Sequence, residues 1–250
     1  MNYVNLSTKD GIGTIEFFTE QSNSLPSDIL AKLATTVAEA GANRDIKVIV
    51  LKSGGDRTFC AGASFDELLQ IEDTENGKKF FMGFANVINA MRKTPQLIIG
   101  RVQGKAVGGG IGLASATDYC FATQYASVKL SELAVGIGPF VVGPAVQRKV
   151  GLSAMSQMAI DATEFHSPEW AQQKGLFTEI FEDAEKMDEA VDSLAQKLAQ
   201  SNPEAMANLK RIFWEGTENW DQLLSDRAQV SGDLVTSEFT KQFIQKFKKK

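Results

Sequence analysis

Two short glycine turns carry the residue types best suited to hold a developing negative charge. The first runs Phe59-Cys60-Ala61-Gly62-Ala63 and the second is Gly108-Gly109-Gly110, followed by Ile111 and Gly112. Each reads as a turn after a strand that opens a helix. Glycine has no Cβ, so the backbone at these turns can approach a ligand closely. The first N–H groups of a helix lack internal acceptors and stand at the positive end of its dipole. Two such donors converging on one point would form an oxyanion hole for a carbonyl oxygen gaining charge. Removing one donor from a hole of that kind typically costs about 2.7–4 kcal/mol of barrier. Close helix–strand packing is the competing reading of the same glycines, and the residues alone leave both open.

Other chemistries fail on spacing. Gly110-Ile111-Gly112 is followed by Ser115 where a dinucleotide turn needs a third glycine or alanine. No acidic residue closes a second strand about twenty residues later, and no glycine–Lys–Ser/Thr phosphate loop occurs. His166 is the only histidine and lies beside a helix cap at Ser167, far from either turn. It therefore completes no Ser-His-Asp set. With one histidine and two distant cysteines, Cys60 and Cys120, no metal-ligand cluster is expected. Asp56 and Asp118 read as turn and strand-edge residues.

The elements that must position the turns follow from periodicity and punctuation. Residues 3–6 and 12–18 read as strands joined through Lys9-Asp10-Gly11. Pro26 opens a helix on which Ile29, Leu30, Leu33 and Val37 keep helical spacing. KVIVLK (residues 47–52) is a buried-type strand, and Ser64 and Glu67 have capping-box spacing for a short helix. Phe80, Phe84, Val87 and Met91 mark one face of a longer helix over 76–92, ended by Pro95. A strand over 96–102 leads into the second turn. Two short strands (118–123 and 127–130), a glycine- and proline-rich loop (131–144) and two helices to about 162 come next. Ser167-Pro168-Glu169 starts another helix, and residues 178–181 form a strand. From about residue 184 only helical signals remain: 185–200, 203–214, 219–231 and 237–249.

Composition narrows the function classes. The 250 residues are 43% hydrophobic and 23% charged, with net charge −5, which suits a globular domain with a sizeable core. The acidic balance speaks against a general nucleic-acid binder. Two cysteines build no disulfide framework. The N-terminus lacks signal-peptide character, and no apolar run approaches the ~18 residues of a membrane span. A cytoplasmic protein is expected.

The motifs together resemble a known family. TFCAGASFDEL (residues 58–68), VQGKAVGGGIGLASATD (102–118) and LSELAVGIGPFVVGPAVQRKVG (130–151) are similar, in order and spacing, to the signature segments of the crotonase, or enoyl-CoA hydratase/isomerase, superfamily. Asn23-Ser24-Leu25 and the terminal SEFTKQFIQKF extend the likeness over nearly the whole chain. The resemblance implies an α/β fold: a crotonase-like ββα superhelix core over 1–195 and an all-helical C-terminal trimerisation region over 196–250. It also implies an acyl-CoA thioester as substrate, no cofactor, and a homotrimer or a hexamer of paired trimers.

Carried over by motif, the N–H groups of Ala61 and Gly109 would hold the thioester oxygen. Gly62, Ala63, Ser64 and Gly108 would lie against the CoA moiety or thioester, with Ser64 also serving as a helix cap. Phe84, Pro139 and Phe140 would border the acyl group. Hydratases of the family commonly carry two glutamates. The first position is Gly112 here, and the second is Glu132. A wall of Leu133, Ile137 and Phe140 would raise the pKa of Glu132 and make it a better base. One carboxylate suffices to shuttle a proton between two carbons, so a Δ3-Δ2 enoyl-CoA isomerase is the first reading. A hydratase or related lyase using Glu132 and a backbone-held water is the alternative, and a non-catalytic acyl-CoA-binding protein is a third. Phe239, Phe243, Ile244 and Phe247 give the last helix an apolar stripe, and Lys248 and Lys249 are placed to meet CoA phosphates.

Overall fold

The computed structural model describes the backbone of residues 1–248 and the side chains of residues 1–246. Phe247, Lys248, Lys249 and Lys250, expected in the apolar stripe and lysine tail, lie outside the described side chains. The chain opens with a hairpin of β1 (Tyr3–Lys9) and β2 (Ile12–Phe18). Its turn residues Asp10 and Gly11 both have positive φ, the backbone twist that suits a two-residue hairpin. β3 (Ser24–Leu25) leads into α1 (Ser27–Ala42), which buries Ile29, Leu30, Leu33 and Val37 at helical spacing.

A recurring order follows. A long strand enters one sheet, a short strand enters a second, and a helix returns. The first unit is β4 (Val48–Ser53), β5 (Thr58–Cys60), β6 (Gly62–Ala63), α2 (Phe65–Leu68) and α3 (Thr74–Lys93). The second is β7 (Leu97–Val102), β8 (Lys105–Val107) and α4 (Gly109–Ser115). The third is β9 (Tyr119–Thr123), β10 (Val128–Lys129), a 3-10 turn at Leu133–Val135 and α5 (Gly143–Ile160). α5 is broken at Gly151, whose φ is +78, in line with the two helices expected there. α6 (Pro168–Gln173), capped by Ser167, and β11 (Glu179–Phe181) complete this part. The remainder is helical: α7 (Ala184–Ala199), α8 (Pro203–Phe213), α9 (Trp220–Val235) and α10 (Glu238–Lys248).

The long strands make a six-stranded sheet in the order β1-β2-β4-β7-β9-β11, parallel from β2 onward. The short strands make the parallel sheet β10-β8-β5 and the two-residue pair β3-β6. Alternation along β4 divides its side chains between two cores. Ile49 and Leu51 join the main core under α1 and α3, whereas Val48 and Val50 meet Met187, Val191 and Ala195 of α7. Both faces of the large sheet are thus covered, as a parallel sheet requires.

Two polar side chains pin the loops that carry the first glycine turn. Asn23, at a positive φ that its short side chain tolerates, donates to Gly54 O and Thr58 O, both at 2.8 Å. Gln103 Nε2 donates to Ser53 Oγ at 2.9 Å and Gly55 O at 3.1 Å. Asp118, read from sequence as a strand-edge residue, is buried. It accepts from Ile98 N at 2.8 Å, Lys210 Nζ at 2.5 Å and Trp214 Nε1 at 3.0 Å. These bonds tie α8 to the large sheet. α9 crosses α3 at backbone contact: a Cβ on Gly77 would stand 2.8 Å from Gly232 Cα.

Candidate active site

The two glycine turns meet. Gly62 has φ +90, and a Cβ added there would lie 2.9 Å from Val107 O and 3.5 Å from Gly109 N. Only glycine combines that backbone with that proximity. Gly108 has φ 52 and ψ −115, and a Cβ on it would stand 3.0 Å from Glu132 Oε1. The carboxylate of Glu132 therefore rests on the bare face of the second turn. Gly109 is equally crowded, since a Cβ there would be 2.1 Å from Phe84 Cε1.

Backbone donors corrected one expectation. Ala61 N–H donates to Ser22 O at 3.2 Å, so it is engaged in the protein and is not the free donor expected from the motif. The Gly62 backbone reverses the local alternation of the chain. Ser64 N–H then faces β3, donating to Leu25 O at 3.2 Å. In extended backbone the preceding N–H points the opposite way, so Ala63 N–H is aimed from β6 toward the Gly108–Gly109 turn. Gly109 N–H begins α4 and has no helical acceptor. This leaves Ala63 N–H and Gly109 N–H, rather than Ala61 N–H, as the backbone donors outside the pairing of β3 and β6.

Glu132 sits between β10 and the 3-10 turn, its own carbonyl accepting from Val135 N at 3.1 Å and Ile137 N at 3.0 Å. Its Oε2 is out of solvent and, among the described residues, has no hydrogen-bond partner. Burial pushes its carboxyl from 4.5 up to about 7, partly offset by its own backbone N–H. Ile137 and Phe140 line the cavity with it. Leu133, expected in the same wall, is 51% exposed and points away, because the 3-10 turn carries it to the outside.

A small inner cavity of ≈ 60 Å³ is lined by Ala61, Gly62, Ala63, Gly108, Gly109, Phe84, Glu132, Pro139 and Phe140. Ser64 is absent from that lining. It is buried, and its Oγ accepts from Glu67 N at 3.4 Å, capping α2. The capping box is not reciprocal, since Glu67 Oε2 accepts instead from Ser27 N at 2.7 Å. Gly112 also lies off the cavity, and a Cβ on it would be 2.6 Å from Val142 Cγ1. The place where a second carboxylate would emerge is filled by valine. Phe65, Phe81, Val141, Val142 and Ser231 also line the cavity. Of these, Phe81 adjoins Phe80 of the helix face read from sequence, and for Ser231 the one local signal is the small pair it forms with Gly232, which lets α9 approach α3 closely.

An outer cleft of ≈ 590 Å³ adjoins the cavity and shares Ala61, Ala63, Phe65, Ser131 and Val135 with it. Lys129 Nζ and Lys105 Nζ stand 4.4 and 5.2 Å from the ring of Phe165 at its edge. Phe243 of α10 closes one side. The other reactive side chains are elsewhere engaged. His166 stacks on Trp170 at 4.2 Å and lines neither space. Burial raises the Cys60 and Cys120 thiols to about 12 and about 11, which leaves them protonated. No group of three or more metal-ligating side chains occurs among the described residues, and no helix among them is long and apolar enough to cross a membrane.

The family model described as enoyl-CoA hydratase/isomerase matches residues 7–250. The chain belongs to the enoyl-CoA hydratase/isomerase family. It is 26% identical to a probable enoyl-CoA hydratase of Bacillus subtilis, over all of this chain and 97% of that relative. It is 24% identical to a peroxisomal Delta(3,5)-Delta(2,4)-dienoyl-CoA isomerase of Arabidopsis thaliana, over 78% of this chain and 74% of the other. The crystal structure of an enoyl-CoA hydratase from Bacillus halodurans superposes with a TM-score of 0.89 at 20% identity, covering 98% and 99% of the two chains. The crotonase-like α/β fold expected from the motifs is the fold observed. A hydratase and an isomerase thus both occur among the relatives.

Proposed function

We propose that the protein is an acyl-CoA enzyme of this family that moves a proton along the acyl chain with Glu132 as its single acid/base, a Δ3-Δ2 enoyl-CoA isomerase. One observation carries the reading: the Glu132 carboxylate, its Oε2 without a partner among the described residues, stands alone in an apolar cavity while Val142 occupies the space beside Gly112. The thioester oxygen lies between Ala63 N–H and Gly109 N–H. Glu132 removes a proton from C2 of a 3-enoyl thioester. The electron pair passes onto the oxygen, where the two donors stabilise it, and the same proton returns to C4 to leave the 2-enoyl product. The apolar wall raises the basicity of the carboxylate and strengthens both donors by excluding water. The outer cleft takes the CoA portion, and Lys105 and Lys129 supply positive charge for its phosphates.

Hydration of a 2-enoyl thioester is the second reading, favoured by the hydratase names of relatives such as the Bacillus subtilis protein. In that case Glu132 activates water and delivers the proton in turn. Trimeric or hexameric assembly belongs with either activity, and Leu209, Ile212 and Phe213 on α8 offer exposed apolar surface for it. Absorbance of the conjugated thioester separates the readings. Growth of signal from a 3-enoyl-CoA is the expected outcome, and loss of signal from a 2-enoyl-CoA without it would replace the isomerase by the hydratase.

A further inference from the structure

We propose that the inner cavity selects a short acyl chain ending in an uncharged hydrogen-bonding oxygen, bound by the hydroxyl of Ser231 on α9. The proposal rests on the acyl-CoA reading above and adds the substrate class. Length comes first. A cavity of ≈ 60 Å³, at ~10–15 Å³ for each water-sized occupant, admits about four to six non-hydrogen atoms. The rings of its inner wall are braced and cannot swing aside freely: Phe80 packs edge-on against Phe81 at 5.3 Å and against Phe84 at 6.2 Å.

Position comes second. Ala63, Phe65 and Ser131 line both the cavity and the outer cleft and so form the neck between them, whereas Ser231 lines the cavity alone. Ser231 is carried by α9, which holds neither glycine turn nor Glu132, and it borders the acyl chain from that helix. It is 1% exposed, and among the described residues its Oγ has no hydrogen-bond partner. A helical serine ordinarily turns its hydroxyl back to a carbonyl of its own helix; this one is left in an apolar wall, unsatisfied until a ligand supplies a partner. It cannot withdraw, because the next residue is locked to α3. A Cβ on Gly232 would be 2.4 Å from Lys78 N.

Charge comes third. Among the described residues no lysine or arginine lines the cavity, and Glu132 does. A carboxylate at the end of the acyl chain would be buried without a counter-charge and opposite a like one. A hydroxyl or carbonyl oxygen carries no such cost.

Saturated thioesters test binding without turnover. Calorimetric titration of the full chain with butyryl-CoA, 4-hydroxybutyryl-CoA and octanoyl-CoA is expected to give about 3- to 10-fold tighter binding of the hydroxylated ester than of butyryl-CoA. Octanoyl-CoA should bind at least about tenfold more weakly than butyryl-CoA. Ser231→Ala should collapse the ratio between the first two esters to near one. Equal affinity for octanoyl-CoA and butyryl-CoA overturns the proposal in the wild-type protein alone, as does absence of the hydroxyl preference. A preference that survives Ser231→Ala overturns it too. If all three esters bind without discrimination, the acyl-CoA reading stands and only the proposal falls. If none binds, both fall.

Discussion

Asp118 and Glu132 are both carboxylates drawn out of water, and the protein surrounds them in opposite ways. Asp118 is met by an ammonium from α8, an indole N–H and a backbone N–H, so its oxygens are matched by donors. Glu132 is met by carbon, and its Oε2 has no partner among the described residues. A buried charge with a full set of partners fastens elements together, and breaking it leaves the partner stranded. A buried carboxyl without partners holds its proton near neutral pH and can exchange it with a substrate. The contrast separates the residue that builds the molecule from the residue that works in it.

Three substitutions test that contrast, from the largest effect down. Glu132→Gln should lower the rate on the reactive enoyl thioester by about 10³- to 10⁴-fold, read in the absorbance assay, while raising stability. The sign follows from a carboxyl raised from 4.5 to about 7 by burial. Below pH 4.5 both folded and unfolded chains carry the proton and no penalty exists. As pH rises toward 7 the unfolded chain ionises first and stability is lost, by about 3 kcal/mol in total. The Gln variant should thus unfold at higher urea than the wild type at pH 8, and the gap should close toward pH 5. The wild-type rate should rise through pH 7 as the base form appears. A variant with full rate and no gain in stability would erase the difference between the two carboxylates.

Asp118→Ala should do the reverse. It strands Lys210, whose burial holds its ammonium below the usual lysine range, and should cost about 3–5 kcal/mol of stability in urea unfolding. The pH limb set by Glu132 should stay where it was. Ser64→Ala supplies the smallest effect and a scale for both. Its loss removes a cap from a four-residue helix and should cost about 1 kcal/mol in the same measurement.

The order of elements was legible from periodicity and turn residues, because each strand and helix announces its own buried face. The meeting of the glycine turns with Glu132 was implied by the family resemblance of the motifs, not by the residues alone. What escaped were directions set by a few dihedrals and by distant neighbours. The engagement of Ala61 N–H depends on a two-residue parallel pairing made possible by positive φ at Ser22, Asn23 and Gly62. No local pattern encodes that pairing. Leu133 looked like wall because it adjoins Glu132, but a 3-10 turn puts the two side chains on different sides. Asp118 passed for a strand-edge residue because its partners Lys210 and Trp214 arrive from the far end of the chain. Ser231 was missed for the same reason.

The crossing of α3 and α9 gives the far wall an unusual kind of gauge. There the separation of the helices is set by main chain against main chain, at Gly77 and Gly232, with no side chain between to yield. One added methyl group at either glycine must therefore lift α9 bodily, carrying Ser231 outward and deepening the chamber while the two donors and Glu132 stay in place. Reach and reactivity are mechanically independent in this protein. A lineage could retune how long a chain it accepts by single-carbon steps at a helix contact, without touching the atoms that move the proton.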